Sequence, residues 1–211
     1  MIDVELERYA ENHTSEEENL LYQLNRETHL KVLLPRMLSG KVQGKFLKFV
    51  SQMIQPKRIL EIGTYTGYSA LCLAMGLRED GELVTIDKNA ELEIIASKYF
   101  QKSENRDKIR FISGDAMQVI PQLEGDFDLI FLDADKSNYL NYYKLLIDRV
   151  PKGGYILADN VLWSGKVVQE LDPKDVDTKA ILEFNQYVQD DPGVENVLLP
   201  FRDGLLLIKK L

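Results

Sequence analysis

Residues 58–69 read RILEIGTYTGYS. Ile59, Leu60 and Ile62 form a short apolar run that breaks at Gly63, and the residues from Ser69 onward are rich in Ala and Leu at helical spacing. This predicts a strand over 58–62, a tight turn and a helix over 69–77. A strand that passes through a glycine turn into a helix opens the nucleotide-type sites of α/β sheets. The dinucleotide fingerprint G-x-G-x-x-G needs a glycine where the backbone approaches a pyrophosphate. Here Thr64, Tyr65 and Thr66 occupy the space between Gly63 and Gly67, and Glu61 at the strand end repels phosphate. A phosphate-free nucleoside with positive charge fits better, and S-adenosylmethionine (SAM), a sulfonium carrying an ammonium group, is such a ligand.

On the N-terminal side, residues 15–38 predict one or two helices with Ser15 as N-cap three residues before Glu18, and Pro35 redirects the chain. Residues 37–44, MLSGKVQG, read as a loop into a helix over 45–53. On the C-terminal side strands are expected at 82–86, 109–113, 127–132 and 155–158. Helices at 90–100, 116–122 and 139–150 alternate with them. Repeated βα units with apolar strands imply a parallel sheet covered on both faces. A helix over 176–189 leads to 194–199 and 205–209, which PFRDG joins as an antiparallel hairpin.

The 211 residues, 45% hydrophobic and 28% charged, suit a single globular domain over 1–211 with a sizeable core. The net charge of −8 builds in no general attraction to nucleic acid or an anionic membrane. The start is acidic without an apolar core, and no run of about 18 apolar residues occurs, so a cytoplasmic protein is expected. The single cysteine, Cys72, excludes an internal disulfide and any cysteine-cluster zinc site. His13 and His29 are the only histidines. Any metal should therefore be held by oxygen, which favours Mg²⁺, Mn²⁺ or Ca²⁺.

Five successive strands end in, or are closely followed by, an acid: Glu61, Asp87, Asp115, Asp133 and Asp159. In an open parallel sheet these fall on the carboxyl edge, where ligands bind, although each could also be a helix cap. Asp87 closes the second strand, roughly 20 residues past the glycines, where a carboxylate accepts ribose hydroxyls. An NAD-dependent dehydrogenase would use the same acid, but the glycine spacing speaks against it. If strands 127–132 and 155–158 are neighbours, about 4.8 Å apart, Asp133 and the pair Asp159 and Asn160 project into one small volume. Two carboxylates and an amide oxygen suit a hard cation. Lys136 would sit beside it, where a neighbouring cation lowers a lysine pKa and makes a general base available near neutral pH.

The segments LEIGTYTGYSA (60–70), DADKSNY (133–139), ADNVLWSG (158–165) and the final DG hairpin stand in an order that resembles the cation-dependent class I O-methyltransferases. That group includes catechol and caffeoyl-CoA O-methyltransferases and many small bacterial relatives. The resemblance runs from about Met37 to the C-terminus. It implies a Rossmann-like, doubly wound seven-stranded sheet, mostly parallel, with an antiparallel C-terminal hairpin strand and helices on both faces. It also implies that residues 1–45 form an N-terminal helical cap or dimerisation segment on a 46–211 core, in a homodimer.

Carried over by residue, the resemblance implies Asp133, Asp159 and Asn160 as ligands of the divalent ion, Mg²⁺ foremost. Lys136 and Asp133 would be catalytic, with Lys136 assisting deprotonation of the acceptor hydroxyl. Ser39, Glu61, Gly63, Tyr65, Ser69, Asp87, Asp115, Ala116 and Asp133 would contact SAM, and Met37, Trp163 and Asp203 would line the acceptor pocket. The implied reaction is methyl transfer to a hydroxyl of a small catechol-like aromatic diol. A tRNA hydroxyuridine methyltransferase with a similar core is the alternative, with Lys31, Arg36, Lys41 and Lys45 as phosphate contacts. A non-catalytic SAM-binding scaffold is the third reading.

Overall fold

The computed structural model describes residues 4–211. In chain order its elements are α1 (Val4–Asn12), α2 (Asn19–Lys31), α3 (Gly40–Ile54), β1 (Arg58–Ile62), α4 (Tyr68–Ala74), β2 (Glu82–Asp87), α5 (Glu93–Phe100), β3 (Ile109–Ser113), α6 (Ala116–Val119), β4 (Leu129–Leu132), α7 (Tyr139–Leu146), β5 (Tyr155–Asp159), α8 (Val176–Gln189), β6 (Val194–Leu199) and β7 (Leu205–Lys210). The seven strands form one sheet in the order β3-β2-β1-β4-β5-β7-β6, the expected doubly wound arrangement. By its internal packing the chain divides into a unit ending at Val119 and a unit spanning Ile120–Leu211.

In the first unit β1 pairs in parallel with β2 and β2 with β3, with Ile62 opposite Ile86 and Asp87 opposite Ser113. Four of the five β1 residues are buried, as a strand covered on both faces requires. The expected loop over 37–44 is instead largely helix, since α3 begins at Gly40. Gly44 explains why the sequence misleads there. A Cβ on it would lie 2.5 Å from Tyr68 Cε1 and 2.9 Å from Cys72 Sγ, so this glycine marks the close crossing of α3 over α4 and not a turn.

Ser15 does not cap α2, which begins at Asn19 with Glu18 in the N-cap position. The lysines of α3 account for the shift. Lys45 reaches the Glu16 carbonyl at 3.0 Å, and Lys45 and Lys48 both pair with the Glu18 carboxylate, which anchors 16–18 as an extended lead-in. Leu21, Leu24 and Thr28 of α2 are buried, and Thr28 Oγ1 donates to Thr66 Oγ1 at 3.1 Å. Helix α1, which the sequence reading did not assign, buries none of its side chains.

In the second unit β4 pairs in parallel with β5, and β7 runs antiparallel to both β5 and β6. Ile181, Phe184 and Val188 of α8 are buried at helical spacing. Phe184 meets the rings of Tyr139 and Tyr143 edge-on, at 5.5 and 6.1 Å. Each such side chain contributes about 1.5–3 kcal/mol as an upper estimate. No helix among the described residues is long and apolar enough to cross a membrane.

Candidate active site

The turn after β1 is built around buried polar links. Thr85 of β2 donates to Glu61 Oε2, and because that uses its only proton, Thr64 donates to Thr85 in turn; both separations are 2.5 Å. Glu61, Thr64 and Thr85 are all but fully buried. The chain pins the Glu61 carboxylate where β1 ends. Tyr65, in the left-handed region with φ 50°, donates its amide to Asp87 Oδ2 at 2.7 Å. Asn89 donates its amide to Asp87 Oδ1 at 2.8 Å. One backbone donor on each oxygen orients the Asp87 carboxylate and leaves further lone pairs for hydroxyl donors.

Gly67 starts α4 at φ 91°, and a Cβ there would come within 2.6 Å of the Phe100 ring. Ser69 is buried in the first turn of α4, and Gly63 donates its amide to the Ile86 carbonyl at 2.9 Å. Asp115 accepts the Met117 amide at 2.9 Å on Oδ1, so it caps the turn into α6, while Ala116 is buried. Ser39 is buried just before α3, whereas Met37, at the end of a 3-10 turn, is 55% exposed.

A second cluster lies where β4 and β5 end. Leu132 is opposite Ala158, so Asp133 and Asp159 follow at matching positions. Lys136 is buried, and its Nζ lies 3.1 Å from Asp133 Oδ1, 2.5 Å from Tyr139 Oη, 4.5 Å from the Tyr139 ring centre and 6.0 Å from the Trp163 ring centre. Tyr139 Oη in turn lies 2.9 Å from the Asp159 carbonyl and 3.1 Å from the Leu132 carbonyl. Burial above all, then the charges of Asp133 and Asp159, push the Tyr139 phenol well above its ordinary range. It therefore stays protonated, gives its proton to the strand-end carbonyls and accepts from Lys136.

Asp159 is 4% exposed, and its Oδ1 accepts the amide of Asn160, a residue at φ 60°. The loop continues through Trp163, half-buried at φ 46°, and Ser164 at φ 56°. Asp203 Oδ1 accepts the Ser164 amide at 2.5 Å. Asp133, Lys136, Asp159 and Trp163 are thus brought together around one tyrosine, and Asp203 is joined to the same loop at Ser164. Sequence pattern does not single out Tyr139, Thr64 or Thr85, whose hydrogen bonds reach Lys136 and Glu61. For Tyr139 the available signal was its place three residues after Lys136, on the same face of a helical turn.

A sequence profile of the family described as O-methyltransferase matches residues 11–211. The chain belongs to the O-methyltransferase family. Caffeoyl-CoA O-methyltransferase 1 of Eucalyptus globulus is 38% identical over 188 residues, covering 83% of this chain and 75% of the relative. Caffeoyl-CoA O-methyltransferase of Zinnia elegans is 39% identical over 189 residues, covering 83% and 76%. The solved structure of methyltransferase PaMTH1 from Podospora anserina, bound to SAH, matches with a TM-score of 0.89 at 30% identity, covering 98% of this chain and 94% of that one. An O-methyltransferase from Bacillus cereus in complex with SAH matches with a TM-score of 0.91 at 26% identity, covering 98% and 97%.

The protein is thus a SAM-dependent O-methyltransferase of the cation-dependent, caffeoyl-CoA O-methyltransferase-like type. The first cluster fits this O-methyltransferase's cofactor chemically, with a buried carboxylate for an ammonium group and an oriented one for ribose hydroxyls. The second cluster fits a hard divalent cation in the type of its donors, two carboxylates and one amide oxygen. Among the described residues no group of three or more His, Cys, Asp or Glu is placed to hold a metal. The fit thus depends on the Asn160 amide oxygen as third donor.

Proposed function

We propose that this O-methyltransferase transfers the SAM methyl group to one hydroxyl of a small vicinal aromatic diol, with Asp133, Asp159 and Asn160 holding a divalent cation, Mg²⁺ foremost and Mn²⁺ or Ca²⁺ as substitutes. The observation that carries this reading is the placement of Lys136, whose nitrogen is fixed between the Asp133 carboxylate and the Tyr139 hydroxyl and faces the Trp163 ring. The cation, when bound, supplies positive charge that favours the deprotonated acceptor. Lys136 Nζ takes the hydroxyl proton, Trp163 and Met37 offer apolar surface to the aromatic acceptor, and the oxygen displaces S-adenosylhomocysteine from the methyl carbon. Glu61, Gly63 and Ser69 hold the methionine part of SAM, Asp87 its ribose, and Asp115 and Ala116 its adenine, with Ser39, Tyr65 and Asp133 as further cofactor contacts. Orientation is the main source of rate.

Pairing of the basic residues supports a small acceptor over tRNA. Of the four candidate contacts, Lys31 is paired with Glu27, Lys41 with Glu16 and Lys45 with Glu18, and Arg36 alone is exposed without an acidic partner among the described residues, which leaves one free positive charge there for phosphates. The decisive experiment is methyl transfer from labelled SAM to a simple catechol ester, with Mg²⁺ and with excess chelator, alongside tRNA under the same conditions. Chelator-sensitive product on the ester supports the reading. Turnover that survives the chelator, or that survives in Asp159→Ala, overturns the metal assignment, and product on tRNA alone overturns the acceptor.

The reading includes a homodimer and a cytoplasmic location. Leu6 and Tyr9, three residues apart on one face of α1, are each more than 60% exposed, an apolar pair that supports dimerisation through the 1–45 segment. Light scattering that finds a monomer at working concentration refutes the dimer.

A further inference from the structure

The loop after β5 carries Asn160 and Trp163 through a backbone that ordinary residues avoid. Asn160, Trp163, Ser164 and Gly165 all have positive φ, at 60°, 46°, 56° and 76°. Such a path persists only where its surroundings over-determine it.

The surroundings can be enumerated amide by amide. Asn160 donates to Asp159 Oδ1, Trp163 to the Asn160 carbonyl and Gly165 to the Leu162 carbonyl, all within the loop itself. The other three amides all go to the tip of the β6–β7 hairpin. Val161 donates to the Gly204 carbonyl at 3.2 Å, Leu162 to the Asp203 carbonyl at 2.9 Å, and Ser164 to Asp203 Oδ1 at 2.5 Å. Gly204, at φ 89°, lies so close that a Cβ would fall 2.5 Å from Leu162 Cγ and 2.8 Å from the Leu162 amide nitrogen. On the other side Asn185 of α8 donates to the Val161 carbonyl at 2.9 Å.

We infer that Asp203 and Gly204 form a latch that sets the conformation of residues 160–165, so that Asp203 is a positioning residue for Trp163 and Asn160. The side-chain bond to Ser164 is the part of the latch that a substitution can remove without cutting the hairpin. The inference rests on the reading above only for what Asn160 and Trp163 do once positioned. The latch itself rests on the hydrogen bonds.

Trp163 is the only tryptophan in the chain, so its fluorescence reports on this loop alone. Asp203→Ala should shift Trp163 emission to the red and raise its acrylamide quenching about twofold, as local opening exposes it. Asp203→Asn keeps an oxygen acceptor for the Ser164 amide and should leave both unchanged. Gly204→Ala, which drives the tip away from Leu162 and leaves the carboxylate intact, should reproduce the Asp203→Ala result. Circular dichroism and SAM binding on each variant identify any that has not folded, and Asp203→Asn and Gly204→Ala are separate routes if Asp203→Ala has not. Unchanged quenching in folded Asp203→Ala, or equal opening in Asp203→Asn, overturns the latch. Mn²⁺ affinity measured by electron paramagnetic resonance is the second readout and should weaken about 10- to 100-fold in Asp203→Ala, as for other residues that orient a metal ligand. If the parent protein binds no Mn²⁺, the metal reading fails and the fluorescence series still decides the latch.

Discussion

The hydroxyl of Tyr139 lies 2.5 Å from Nζ of Lys136 and at the same time touches the carbonyls of Asp159 and Leu132. One side chain therefore ties the proposed proton acceptor to the ends of two neighbouring strands. With its phenol pushed far above the usual range, Tyr139 acts here as a neutral bracket and not as a base.

Tyr139→Phe tests the bracket. The ring still fills its place against Phe184, but two buried carbonyls lose a donor and Lys136 loses an acceptor. Stability should fall by about 1–3 kcal/mol, and turnover by about 10- to 100-fold from the misplaced lysine. Urea midpoints and steady-state rates check the two effects, and unchanged turnover removes Tyr139 from the positioning of Lys136.

Lys136→Met keeps much of the aliphatic stem and removes the nitrogen. A loss of kcat of about 100-fold or more is expected for a positioned proton acceptor, with SAM affinity by calorimetry unchanged. A kcat close to that of the parent protein would show that another group takes the proton.

Glu27 anchors α2 and should make stability pH-dependent in acid. The hydrogen bond from Lys98, then those from Lys31 and Tyr99, hold its carboxyl at about 2, against an ordinary 4.5. The folded form therefore binds this proton less readily than the unfolded form. Its contribution is complete above the unfolded value of 4.5 and is lost as pH falls towards 2. Two of the three partners are exposed lysines, so screening holds the contribution to about 1 kcal/mol. Glu27→Gln should be less stable than the parent by that amount at neutral pH and equal to it near the acid limit. A difference that stays constant in urea titrations across this range would count against the assignment.

Gly67→Ala places a methyl 2.6 Å from the Phe100 ring at a backbone angle of φ 91°. Strain and overpacking together should cost roughly 2 kcal/mol or more and weaken SAM, because the turn and the first residues of α4 move together. Thermal melts with and without SAM measure both. Parent-like stability would mean that the ring yields freely.

Much of this protein is legible one residue at a time. The strands predicted at 109–113 and 194–199 and the helix at 176–189 have the observed bounds, because their periodicity is undisturbed by glycine or proline. The expected loop over 37–44 failed because Gly44 serves a helix crossing, and a glycine needed for close packing looks the same in sequence as one needed for a turn. Ser15 failed as a cap because Lys45 and Lys48, far along the chain, claim the residues beside it. Among the acids, sequence pattern placed Asp133 and Asp159 at matching strand ends but could not say which carboxylate oxygens were already committed.

Sequence alone therefore determined the αβ alternation, the antiparallel close, the oxygen-rich character of the candidate site and the family. The first three follow from local propensity, hydrophobic period and residue chemistry, and the family from the resemblance carried by its ordered motifs. Tertiary structure decided that Tyr139 brackets Lys136, that Thr85 and Thr64 pin Glu61, and that Asp203 holds the loop of Asn160 and Trp163. These are single hydrogen bonds between groups remote in sequence or hidden within a motif. Their existence depends on a register and on distances of a few tenths of an ångström that no local pattern encodes.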